Sequence, residues 1–156
     1  MRLIVAFALA SLPAPALAQA ATSEAPAYCS ELKRVAALAA TKERFASITG
    51  KPREGNFVET TLPLAGWRDC ALYGAATYTC DSVEHDSADA AERAQAGLAA
   101  QIKSCLGESW AIAQERSSAS YVVLHDVMRP ISITLSTDET ADKKHIVHLI
   151  MFVRRN

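Results

Sequence analysis

Four cysteines, Cys29, Cys70, Cys80 and Cys105, restrict this chain more than any other feature, because their pairing decides which distant segments must lie together. No two are separated by just two residues, so neither a thioredoxin-like redox motif nor a zinc knuckle is present. A metal centre would have to draw a mixed Cys/His set from scattered segments. An even number of cysteines in an oxidising compartment is ordinarily a disulfide framework, so two disulfides are expected. A hairpin over "LYGAATY", centred on Ala75, sets Leu72 opposite Tyr78 and Cys70 opposite Cys80. A direct Cys70–Cys80 bridge, with Cys29–Cys105 as the second, is therefore one connectivity. The preferred one is Cys29–Cys70 with Cys80–Cys105, in which each bridge ties a helix to the sheet.

The compartment is read from residues 1–20, "MRLIVAFALASLPAPALAQA". Arg2, an apolar run from Leu3 to Leu12 and then small residues make a secretory signal, with cleavage expected after Ala18 or Ala20. The run is shorter than the roughly 20 residues a spanning helix needs, and no later stretch is long and apolar enough to span. The expected location is periplasmic or secreted. Residues 21–156 are then a single disulfide-stapled domain, large enough for one core. Of 16 basic and 17 acidic residues only Arg2 lies in the leader, so the remainder carries a net charge of −2. That is no footprint for nucleic acid, which needs a strongly basic face.

Periodicity places the elements. From Pro26 to about Ile48, Tyr28, Leu32, Val35 and Leu38 recur at helical spacing, with "TKER" (41–44) interrupting the stripe. "GKPREGN" (50–56) reads as a loop and "FVETTL" (57–62) as a strand. In "DSVEHDSAD" (81–89), Asp86 or Ser87 caps a second helix, Ala88 to Leu106, and the acidic residues suit its positive end. That helix carries Ala91, Ala94, Leu98, Ile102 and Cys105 on one face, and Gly107 ends it. Beyond Trp110 the period becomes two: "WAIAQE", "SYVVLHD" and "ISITLS" read as strands, and "TDETADKK" (137–144) as a polar loop. "HIVHLIMFV" (145–153) is apolar on both faces, with Ile146, Ile150 and Phe152 on one and Val147, Leu149, Met151 and Val153 on the other. Such a strand is central or masked by a partner, so Ile146, Ile150 and Phe152 are candidate interface residues.

Catalytic signatures are missing: no G-x-S-x-G, P-loop, G-x-G-x-x-G or H-E-x-x-H occurs. His85, His125, His145 and His148 are scattered, and residues three apart in a strand point to opposite faces. A Cys105–His125 nucleophile–base pair conflicts with a disulfide framework. His125–Asp126 is the one pair to inspect for acid–base work, and adjacency alone does not make a catalytic pair. Trp67 and Trp110, beside turns, are read as packing residues. No catalytic, cofactor-binding or metal-ligating residue is assigned.

The ordered set "YC..L..V" (28–35), "F..I.G" (45–50), "LPLAGW..C" (62–70), "YTC" (78–80), "CLG..W" (105–110) and "P..ITLS" (130–136) resembles small exported bacterial proteins of unassigned function. The resemblance implies an α+β domain with disulfides and carries no activity. The expected fold is α+β, an antiparallel sheet of five to seven strands with two helices packed on one face. The expected function is a non-catalytic protein-binding or accessory module acting on an envelope protein or by self-association. The alternatives are a carrier of a small apolar ligand held between helices and sheet and, third, a hydrolase without a recognisable motif.

Overall fold

The computed structural model describes residues 25–74 and 76–154; the leader read over residues 1–20 and the hairpin centre Ala75 lie outside them. Helix α1 (Cys29–Ala39) is followed by strands β1 (Thr49–Pro52), β2 (Phe57–Thr60), β3 (Arg68–Tyr73) and β4 (Thr77–Asp81). Helix α2 (Ala88–Leu106) then precedes β5 (Trp110–Ile112), β6 (Tyr121–Asp126), β7 (Ile131–Glu139) and β8 (His145–Val153). All eight strands form one antiparallel sheet in the order β1-β2-β3-β4-β8-β7-β6-β5. The expectation of five to seven strands was short because "TGKP", glycine- and proline-containing, pairs with β2 across a register shift instead of looping. Each half of the chain is thus one helix and a four-stranded meander, and the two meanders meet along β4 and β8.

Alternation sorts the sheet into two faces. Leu72, Tyr78, Leu124, Ile133, Leu135, Val147, Leu149 and Met151 share one core cluster with Leu32, Val35 and Ala36 of α1 and Ala99 and Ile102 of α2. Both helices therefore lie on the same face, and burying each of these larger side chains contributes about 1.5–3 kcal/mol.

The first helix ends at Ala39, nine residues before Ile48. The charged Lys42-Glu43-Arg44 run has no apolar stripe to bury, and Arg44 sits at φ +50°, where a helix does not continue. In α2 the buried line is Ala91, Gln95, Ala99, Ile102 and Cys105, while Ala94 and Leu98 are half-buried on its flank. Gln95 is tolerated inside because its Nε2 donates to the Leu135 carbonyl at 2.8 Å. Ser87, not Asp86, caps α2 by accepting from the Ala90 N–H at 3.2 Å. Strand β7 runs through Glu139, into what reads as a loop, because Thr137, Asp138 and Glu139 pair with Val147, Ile146 and His145.

The disulfides are Cys29–Cys105 and Cys70–Cys80, which corrects the preferred pairing. Geometry explains it. Leu72 pairs with Tyr78 and Ala71 with Thr79, so Cys70 and Cys80 lie directly opposed at a Cα separation of 4.1 Å. The start of α1 meets the end of α2, bringing Cys29 and Cys105 to 5.3 Å, within ordinary disulfide reach. Two disulfides are the pattern of an oxidising compartment. Among the described residues no helix is long and apolar enough to cross a membrane.

Candidate functional site

The sheet face opposite the helices carries the candidate site. Its middle row is Ile146, His148, Ile150 and Phe152 of β8, all half-buried. Register fixes their neighbours: Phe152 lies between Thr77 and Ser132, Ile150 between Thr79 and Thr134, and His148 between Asp81 and Ser136. Ser132 and Thr134 are buried within this face, as is Val123 of β6. Toward one edge Phe57 and Tyr73 form an aromatic pair with centroids 5.0 Å apart, and they are 40% and 47% exposed. Tyr121, toward the other edge, is 41% exposed. The candidate interface residues Ile146, Ile150 and Phe152 thus share one face, the one that neither helix covers.

A groove of about 710 Å³ runs over β2–β4 and β8, lined by the Arg53–Gly55 turn, Phe57, Asp69, Ala71, Thr79, Asp81 and His148. Its charges are organised. His148 Nδ1 lies 2.5 Å from Asp81 Oδ1, and Nε2 lies 3.6 Å from Asp138 Oδ2. The Asp81 hydrogen bond, with the charges of Asp81 and Asp138, raises the His148 pKa above its ordinary value, against the opposing effect of burial. Arg53 approaches Asp69 at 3.8 Å. Carboxylates face both ring nitrogens of His148, an arrangement that favours the protonated imidazole. The Ser136 hydroxyl donates to Asp138 at 3.4 Å rather than to the imidazole. Along the groove Asp81 is paired with His148 and Asp69 with Arg53, and Glu54 is a further carboxylate with no such partner among the described residues.

The pair singled out for acid–base work is split. His125 is half-buried on the helix-free face, while Asp126 is fully buried on the other. Asp126 closes the turn between β6 and β7, accepting from the Met128 N–H at 2.8 Å and from Arg129 Nε at 2.5 Å. The Cys105–His125 combination is removed by the Cys29–Cys105 bridge. The acidic stretch around His85 disperses: Asp81 goes to His148, Glu84 approaches Arg68 at 3.8 Å, and Asp86 pairs with Lys144. Lys144 accordingly holds the Asp86 carboxyl below its usual range. Trp110 is buried as expected, whereas Trp67 is half-buried, edge-on to Tyr28 at 6.0 Å.

Sequence reasoning missed the Asp81–His148 contact, which joins residues 67 apart. A signal was present. His148 has the same parity as Ile150 and Phe152, so any face they form includes it. Comparison with protein-family models, with curated proteins and with solved structures finds no match for this chain.

Proposed function

We propose that this chain is an exported, non-catalytic binding module that docks a protein of the cell envelope on its helix-free sheet face. The single observation that carries the reading is the row Ile146, Ile150 and Phe152 on a face that no helix among the described residues covers, extended by the exposed pair Phe57 and Tyr73. Antiparallel sheets commonly leave one face to solvent, where polar residues are the rule, and apolar surface rimmed by polar groups marks interaction sites. Among the described residues the groove beside it leaves the Glu54 carboxylate without a partner, so the partner surface that fits presents apolar side chains flanked by lysine or arginine. Export after cleavage near Ala18 or Ala20, to the periplasm or outside the cell, agrees with the two disulfides. A carrier role of the enclosed kind gains no support from the gap between helices and sheet, which Leu32, Val35, Ile102, Leu124 and Leu149 fill with no exposure.

The test is site-specific photocrosslinking in the native envelope, with the photoreactive residue at Ile150 or Phe152 and a control at Lys103, exposed on α2. A discrete heterologous adduct from the sheet face and none from Lys103 is expected. Adducts only to a second copy would replace the partner by self-association. No adduct from either sheet position would remove the reading.

A further inference from the structure

A second groove lies on the opposite side of the molecule, along the flank of α2. It measures about 390 Å³, and its lining includes Tyr28, Trp67, Ala94, Gly97, Leu98 and Gln101, with Ser82, Val83 and His85 of the segment after β4. Its most telling residue is Gly97. Glycine is among the poorest residues for a helix interior, and it normally earns its place through a positive φ or a close backbone approach. Gly97 has neither: it sits in regular α2, and a Cβ built there meets no atom within 4 Å. Packing therefore does not demand the missing side chain. What its absence does is leave space, opposite Trp67 and between the small Ala94 and the half-buried Leu98.

The walls define what fits that space. No Asp, Glu, Lys or Arg lines the groove; its surfaces are the Trp67 and Tyr28 rings with aliphatic helix side chains, and Ser82 and His85 add polar edges. The Tyr28 hydroxyl donates to Gln101 Oε1 at 3.0 Å, which orients the amide. Among the described residues the Gln101 amide nitrogen has no acceptor, so its two N–H donors remain free at the groove's exposed rim. An occupant that satisfies all of this is neutral, flat and mostly apolar, with one hydrogen-bond acceptor. Grooves of this size accommodate molecules of one or two fused rings.

We infer that the Trp67–Gly97 groove is a binding site for a small neutral aromatic compound bearing a carbonyl or ether oxygen, which stacks on Trp67 and accepts from Gln101. The site is separate from the sheet face, and it does not depend on the docking proposed for that face.

The experiment titrates the oxidised protein with prodan, a neutral naphthyl ketone whose emission shifts to the blue in apolar surroundings. One-to-one saturable binding is expected. The indole N–H resonance of Trp67 should move while that of buried Trp110 stays in place. Gly97→Met, which fills the groove from an exposed helix position, should weaken binding about tenfold or more, with the circular dichroism and thermal midpoint retained. Gln101→Leu should weaken it less, and Phe152→Glu should leave it unchanged. The inference is overturned if binding does not saturate or if Trp110 responds as Trp67 does. It is equally overturned if folded Gly97→Met binds as the parent does. Should Gly97→Met misfold, Gly97→Ala and the two indole resonances of the unaltered protein decide the matter.

Discussion

The two halves of the sheet share one plan, a helix followed by four strands running inward from an edge, yet they are built to different strengths. In the first half α1 has 11 residues and the strands have four, four, six and five. In the second, α2 has 19 residues, and β7 and β8 have nine each. Buried residues follow the same division: β1 and β2 bury no residue fully, whereas β7 buries five in succession. Stability in the first half is supplied covalently where side-chain burial is thin. Cys70–Cys80 closes its central hairpin, and Cys29–Cys105 fastens its helix to the stronger one. A weak meander held by cross-links beside a strong one held by packing is the physical content of the comparison.

Removing the bridge between the halves should have the largest effect. Cys29→Ala with Cys105→Ala opens a loop of 76 residues, for which loop-closure entropy gives a loss of about 4.5 kcal/mol. Urea unfolding followed by circular dichroism measures it, and a loss below that of the other bridge would contradict the account. Cys70→Ala with Cys80→Ala opens only ten residues and should cost about 3 kcal/mol by the same relation. Its signature is regional. Amide exchange should accelerate in β1–β3 while β6–β8 keep their protection. Uniform acceleration would mean that the halves unfold as one unit and that the difference in construction has no energetic counterpart.

The same division governs what was legible beforehand. In the second half "WAIAQE" reads as strand, yet β5 stops at Ile112 and Gln114–Arg116 turns as a 3-10 helix, and β7 outruns "ISITLS" by three residues. The second half still yields α2 and β8 at their observed bounds, because α2 keeps a helical stripe over five turns and "HIVHLIMFV" is an unbroken apolar run. The first half does not. "TGKP" has no strand signature of its own and becomes one through β2, and Phe45 and Ile48 continue an apolar spacing after the helix has ended. The register that opposes Cys70 and Cys80 was readable from the hairpin. The choice of bridge was not, since it depends on how α1 and α2 lie against each other. Of the binding face, the apolar row was legible from parity. Its charged companion arises only when β4 and β8, from different halves, are laid side by side.

Helix capping offers a milder test of the contrast. Helix α2 begins at Ser87, whose side chain bonds the Ala90 N–H, and α1 begins at Tyr28 with no side-chain cap. Ser87→Ala should cost about 1 kcal/mol, read as a lower urea midpoint at unchanged slope. An unchanged midpoint would show that α2 is held by its packing alone.

The smallest effect is expected at the seam. Asp81 belongs to the first half, and His148 and Asp138 to the second, so their interaction exists only when the halves are joined. Folding raises the His148 pKa above the roughly 6.5 of the unfolded chain, so the native state holds this proton more tightly. The stabilisation is therefore complete below about pH 6.5 and declines as the pH climbs through the raised native value. Asp86, whose pKa is lowered by Lys144, acts in the separate acidic range and leaves this window clear. Unfolding free energy should thus fall as the pH rises above about 6.5, and Asp81→Asn should flatten that slope. High salt should weaken it only in part, because His148 is half-buried. If the slope persists in Asp81→Asn and vanishes in His125→Gln, another histidine carries the proton. The contact across the seam would then be geometry without energetic weight. If it vanishes in both Asp81→Asn and His148→Gln, one titrating pair reports directly on the joining of the two halves.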